Sequence, residues 1–371
     1  MLRPLLLAFL IAGCSTFGLA QVPRKVHQPT LTPQNSGTDQ LLIAVSPVNS
    51  QVVWAAGTGG TYVVTTDGGN TWRSGVVPGT KNLQFRDVQG VSDKIAYLMS
   101  IGNYTDSFRI YKTEDGGATW QEQFVNTLKN AFYDCMAFWT PDRGLAHSDS
   151  VDGVFPELRT TDGTNWLSIA ENMPPALPGE ASFSSSGTCI TTWGENNAWI
   201  ATGGSSIARI LATRDGGDTW NAYDTPLNSS PSAGGFSVAF RNAWNGILGG
   251  GDLSTNNAPQ AATSHDGGRS WQLTPTPPIQ GTIFGLAYVS GLHLNAASDE
   301  DDGATFISAQ TVVVTAETAP NFDSGSAAWT PDEGQTWYRL PHVSGYWGVA
   351  FADPSAGWFV GNNGQILKIS F

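Results

Sequence analysis

Apolar residues along this chain come in short runs of four to six, broken by glycine, proline, asparagine and aspartate, which is the signature of many brief strands. Three runs align as one recurring strand: Phe236-Ser-Val-Ala-Phe240, Phe284-Gly-Leu-Ala-Tyr288 and Trp347-Gly-Val-Ala-Phe351. Each is followed by a turn and a second run, such as Gly357-Trp-Phe-Val-Gly361. A third run, as in Ala208-Arg-Ile-Leu-Ala-Thr213, leads into a polar loop, and a tryptophan opens a fourth. No stretch carries the 3.6-residue periodicity of an amphipathic helix. Four antiparallel strands per unit predict the blade of a β-propeller.

The polar loop recurs six times as [S/T]-x-D-x-G-x-[T/S]-W or a close variant, every 47 to 66 residues. Its aspartates are Asp67, Asp115, Asp162, Asp215, Asp266 and Asp332. In a hairpin loop such an aspartate accepts backbone N–H groups ahead of it, a glycine supplies a positive φ, and the hydroxyl residues tie the loop to itself. Repetition in six places marks these aspartates as structural. The sixth copy has Glu333 for the first glycine and keeps Gly334, so the second glycine is the one expected to be required. The third copy is one residue short between Asp162 and Trp166, which predicts a distorted loop.

The chain ends fix the blade count. Residues 345–371 supply three strands and stop without a box, so the missing fourth strand is expected from Thr30 to Gly37. Pairing the two ends makes a seventh blade and removes an open sheet edge. The expected fold is thus an all-β, seven-bladed propeller over residues 28–371, its last blade shared between N- and C-terminal strands.

Composition fits this picture: 43 glycines, 21 prolines and 14 tryptophans, with 13% charged residues, leave little room for helix. A net charge of −13 disfavours nucleic acid and anionic membrane surfaces as partners. Residues 1–20 have a short basic start, an apolar run from Leu5 to Ala12 and small residues after it, as in an export signal. Two cleavage positions satisfy the small-residue rule: after Gly13, leaving a lipidated Cys14, or after Ala20. Either predicts an extracytoplasmic monomer, in contact with a membrane only through an anchor at Cys14. Cys135 and Cys189 fall on what read as innermost strands of consecutive repeats; pairing is within reach, and burial as small hydrophobes is the expected state.

The boxes are similar to Asp-box (BNR) repeats. Phe85-Arg-Asp-Val88, Arg109-Ile-Tyr-Lys-Thr113, Phe132 to Trp139 and Ser150-Val-Asp-Gly153 resemble bacterial relatives of photosystem II stability/assembly factors. Pro178-Gly-Glu180, Ser186-Gly-Thr188, Phe236 to Arg241 and Gly249-Gly-Gly-Asp252 continue that likeness over nearly the whole chain. It implies a seven-bladed propeller of WD40/YVTN/BNR type with no agreed activity, acting as a non-catalytic scaffold that captures a protein or glycan. Residues 292–326, rich in Asp and Ala, depart from the pattern as an insertion in blade six.

The alternative is a secreted glycoside hydrolase. A sialidase start is absent, Phe85-Arg86-Asp87 being the nearest approach. Asp87 and Asp134 are expected in one column of neighbouring blades, where later blades carry Phe236, Phe284 and Trp347, with Arg86 and Tyr133 adjacent. Two such acids at the channel mouth could cleave a glycoside or clamp a ligand; equally they could cap strand ends or pair with Arg86 and Arg109. Asp152, Glu180 and Arg241 complete the candidate ligand-binding set. The loop at Asp149 and Asp152-Gly153, and the acidic run Asp299 to Asp302, read as turns and solvated loop before they read as cation sites. Zinc is not indicated, since no C-x-x-C exists, and Gly57-Thr-Gly-Gly60 precedes a strand, so no dinucleotide cofactor is expected.

Overall fold

The computed structural model describes residues 28–255, 259–289, 308–319 and 325–371. Seven four-stranded antiparallel sheets stand around a central channel. Their innermost strands are Leu42–Pro47, Gln84–Gly90, Tyr133–Thr140, Ile190–Trp193, Ala233–Phe240, Thr282–Tyr288 and Tyr346–Asp353. Consecutive innermost strands touch, and the last touches the first, so the ring closes. Closure rests on backbone hydrogen bonds between the two ends of the chain: Thr30–Asn35 pairs antiparallel with Gln365–Ser370 as the outer strand of blade seven. That is the expected fold, with the terminal strands sharing the last blade.

Blades hold together through the clusters between them. Each box tryptophan packs into the space between its own blade and the preceding one, as Trp120 does against Trp54 and Tyr62 of blade one. Trp166, Trp220, Trp271, Trp337 and Trp72 repeat this at the other boxed blades. A large amphipathic ring suits the place, because it fills the wedge while its N–H end stays near the polar loop. Trp72 and Trp358 both donate to Gln34 Oε1 at 3.1 Å, which ties the borrowed strand to blades one and seven.

The box loops close on themselves. Thr65 Oγ1 donates to Asp67 Oδ1 at 2.8 Å, while Asp67 accepts from the Thr71 N–H at 2.9 Å and from Thr71 Oγ1 at 2.6 Å. These donors hold the Asp67 carboxyl down to about 2. Both glycine positions take positive φ: Gly68 and Gly69 lie at 71° and 86°. In the sixth copy Glu333 takes 52° and Gly334 86°. The first position is therefore also left-handed, but within the range a non-glycine residue can occupy, whereas the second lies beyond it and is the glycine required, as expected. The short third copy is distorted as expected: Asn165 Nδ2 replaces the hydroxyl donor to Asp162 at 2.7 Å, and Thr160 stands back at 3.3 Å.

Two further expectations need correction. Val312–Glu317, inside the supposed insertion, is the second strand of blade six, paired with Thr282–Tyr288. Its continuous buried run, Val312-Val-Val-Thr-Ala-Glu317, was hidden by the length of chain before it. The acidic run Asp299 to Asp302, like Cys14 and the export signal, lies outside the described residues. Cys135 and Cys189 form a disulfide with Cα atoms 6.1 Å apart rather than two buried thiols. Cys189 sits just ahead of the innermost strand of blade four, where the chain crosses toward Cys135.

Candidate functional site

The channel mouth is built by a repeated irregularity. In six of the seven innermost strands the register slips by one residue near the start of the strand, in each case skipping a single side chain. The skipped residues are Ile43, Arg86, Asp134, Phe236, Phe284 and Trp347. A bulge of this kind puts two residues opposite one and re-aims a side chain. Ile43, Phe236, Phe284 and Trp347 form one apolar cluster here, joined by Leu41, Phe183 and Leu253.

This corrects one member of the predicted column, in which Asp134, Phe236, Phe284 and Trp347 stand as expected. Arg86, not Asp87, stands beside Asp134 and the three aromatics. Asp87 turns the other way, accepting the Val88 N–H at 2.7 Å and, from the next blade, the Met136 N–H at 2.6 Å. It is buried, and desolvation holds its carboxyl well above the usual range despite those two donors. Its register was misread because alternation alone cannot reveal a bulge.

Blade four has no such bulge; instead the segment before its short innermost strand crosses the channel. Phe183 stacks on Phe236 with centroids 3.8 Å apart. Ser185 and Ser186 donate to the Phe284 carbonyl at 3.2 and 2.6 Å, and Thr188 shares a 2.5 Å hydrogen bond with Ser237. The crossing separates two cavities. One, of about 190 Å³, has Asp87, Gln89 and Thr191 among its lining. The other, of about 310 Å³ at the mouth, is lined by Arg86, Asp134 and Asp149 on one side and by Phe183, Phe236, Phe284, Trp347 and Leu253 on the other.

The charged wall of the mouth cavity has a definite protonation pattern. Asp134 is 1% exposed and hydrogen-bonds Asp149. Burial and the neighbouring Asp149 push Asp134 well above the usual carboxylate range. Burial raises Asp149 as well, held back by the Asp134 hydrogen bond and by the Ser182 N–H, which donates at 2.8 Å. Both carboxyls are thus pushed toward their protonated forms, and they titrate as a pair. Behind them, fully buried His147 Nδ1 lies 2.7 Å from Glu157 Oε2.

Arg86 donates to the Ser184 carbonyl at 3.1 Å and to Gln84 Oε1 at 2.9 Å, and its guanidinium lies 5.3 Å from the Trp347 ring centre. Its Nε has no hydrogen-bond partner. Burial pulls this guanidinium down to about 10, against the opposing pull of Asp134.

The remaining predicted residues lie elsewhere. Tyr133 is buried against Phe124, with centroids 5.5 Å apart. Arg109 bridges Asp106 and Glu122 at the surface. Glu180 is buried and spent on Arg209, on Thr202 at 2.7 Å and on the Leu177 N–H at 2.8 Å. Arg241 holds Glu333 at 2.5 Å beside the sixth box, and Asp152 occupies an exposed turn with φ 53°. Sequence reasoning missed Phe183 and Leu253, and took Asp149 only for a loop residue; the Phe183-Ser-Ser-Ser186 run where a strand was due was the available signal. No group of three or more His, Cys, Asp or Glu side chains suited to a metal occurs among the described residues, and none of their helices is long and apolar enough to cross a membrane.

No family model matches the chain, and no curated protein does. Solved structures do match. One described as YCF48 bound to D1 peptide superposes with a TM-score of 0.61 at 16% identity, over 93% of this chain and 98% of that one. YCF48 from Cyanidioschyzon merolae gives 0.59 at 17%, over 92% and 98%. A GH74 enzyme from Niastella koreensis gives 0.60 at 14%, over 91% of this chain but only 53% of the enzyme. At these identities the likeness establishes the propeller fold.

Proposed function

We propose that this chain is a non-catalytic binding propeller, working outside the cytoplasm, whose mouth cavity captures part of a protein or glycan partner. The observation that carries this reading is the disposition of its acids. Glycosidases need two carboxyl groups about 5–5.5 Å or about 6.5–9.5 Å apart across the scissile bond. Asp134 and Asp149 are hydrogen-bonded to each other, and Asp87 lines a different cavity with both oxygens taken by backbone N–H groups. What faces the opening is an aromatic and guanidinium surface on rigid strands, a binding composition rather than an acid/base pair. The fold neighbour described with a bound peptide supports a protein partner. The disulfide supports an oxidising compartment, whether the chain is freely secreted or anchored at Cys14.

The test is a panel of xyloglucan and sialoside substrates run beside glycan and peptide arrays. Expected are no turnover and saturable array binding that Trp347→Ala weakens at least tenfold. Turnover abolished by Asp134→Asn or Asp87→Asn overturns the reading in favour of a glycoside hydrolase.

A further inference from the structure

Resting on the binding reading above, we infer that the mouth cavity recognises a carboxylate attached to an apolar or aromatic body. Arg86 lines this cavity, and among the described residues it has no carboxylate ion-pair partner. Arg109, Arg159, Arg209 and Arg241 have one; Arg73, Arg143, Arg214, Arg269 and Arg339 have none among the described residues either, but of these unpaired arginines only Arg86 lines the cavity. The nearest acid, Asp134, makes no ion pair with it, and burial and Asp149 hold that carboxyl toward its protonated form. A guanidinium held by two neutral oxygens, with Nε unpartnered, in a site lined by five aromatic residues is a cation awaiting an anion. Arg86 is fixed rather than swinging freely, because the Ser184 carbonyl and the Trp347 face hold it from two sides. The bulge that carries it also carries the aromatic rings on other blades, so charge and apolar wall face the same 310 Å³. That volume admits a phenyl or short alkyl group with its carboxylate.

Asp134 and Asp149 make the event proton-linked. Their carboxyls are both held toward the protonated form and are coupled to each other; His147 and Glu157 lie behind Asp149, and Arg86 beside Asp134. A carboxylate arriving at Arg86 raises the pair's hold on protons, so protons are taken up and binding tightens as pH falls. An amine in the same cavity would do the reverse.

The carboxylate has two sources, a free small acid or the end of a peptide chain. The test uses 4-phenylbutyrate, a tetrapeptide ending in phenylalanine, the same peptide amidated at its C-terminus, and benzylamine, each titrated by calorimetry at several pH values in two buffers. Expected are binding by at least one of the two carboxylates, proton uptake, and at least tenfold weakening in Arg86→Gln with partial retention in Arg86→Lys. Phenylbutyrate binding alone assigns a free acid; peptide binding lost on amidation assigns a chain terminus. Circular dichroism and the unfolding midpoint check that both variants fold; if Arg86→Gln does not, the uptake or release of protons by the unaltered protein decides. Equal binding of the amidated peptide or benzylamine, proton release, or no binding by either carboxylate overturns the inference. If a partner found on the arrays still binds Arg86→Gln unchanged, this inference fails while the binding function stands.

Discussion

Replacing both Cys135 and Cys189 by alanine is expected to cost the protein about 4 kcal/mol. The cysteines are 54 residues apart in sequence, so the bond closes a long loop that the unfolded chain would otherwise explore freely. The chain-entropy relation for a loop of that length gives about 14 cal/mol/K, or about 4 kcal/mol at 25 °C. With an unfolding entropy near 2.1 cal/mol/K per residue over about 340 residues, that is a fall in Tm of about 6 °C. The effect should not be uniform. Cys135 follows Asp134 directly, and Cys189 ends the segment that crosses the channel, so the bond clamps one wall of the mouth cavity to the segment that roofs it. Ligand affinity at the cavity should therefore drop further than a distant destabilisation of the same size would cause. Thermal unfolding of the variant, and of the unaltered protein with and without reductant, makes the comparison. A Tm within about 1 °C of the unaltered protein, or free thiols in the non-reduced protein, would refute the reasoning.

Four other outcomes follow from the geometry. Glu333→Gly relieves about 1 kcal/mol of left-handed backbone strain but removes the acceptor for Tyr288 at 2.8 Å and Arg241 at 2.5 Å, so a net loss of about 2 kcal/mol is expected from urea midpoints. Gly334→Ala should cost more than Glu333→Gly gains in strain relief, because its Cβ would lie 2.7 Å from Thr274 Cγ2 at a φ of 86°. Deleting residues 28–35 bares the Gln365–Ser370 edge and strips Trp72 and Trp358 of a shared acceptor; concentration-dependent association by light scattering is expected, and a stable monomer would contradict it. Asp134 and Asp149 are both raised in the folded state, so their contribution is fully present below the ordinary aspartate value and is lost as pH climbs through the raised one. Stability should decline toward alkaline pH by up to about 1.4 kcal/mol per unit for one proton, and Asp134→Asn should flatten that slope; an unchanged slope would count against the coupled pair.

Much of the ring was legible because its causes are local and repeated. An aspartate, a glycine and a hydroxyl at fixed offsets make the same loop wherever they occur, and the tryptophan after them must go between blades. The borrowed strand was legible for a different reason: three strands at one end of a closed ring imply a fourth at the other. The site was less so. Arg86 and Asp134 were found, but Asp87 was set beside them because a two-residue alternation was carried through a position where the strand gains a residue. The Cys135–Cys189 bond depends on a crossing segment that replaces the expected start of a strand, and no pattern of apolar residues announces that.

The bulge also explains why one site can differ so much along a repeated frame. A residue in register on an innermost strand faces a neighbouring blade, and its size is dictated by packing, as with Phe85, Val88 and Met136. The bulged residue is released from that pairing and faces the channel instead. Its identity is then limited only by what shares the mouth, and it runs through isoleucine, arginine, aspartate, phenylalanine and tryptophan in a single turn of the ring. The frame repeats because blade packing demands it; the mouth does not, because one extra residue per strand removes the demand. Recognition at the channel is thereby separated from the stability of the propeller, so Arg86→Gln should alter binding far more than it alters folding, whereas Met136→Ala, two residues past the bulged Asp134, should do the opposite.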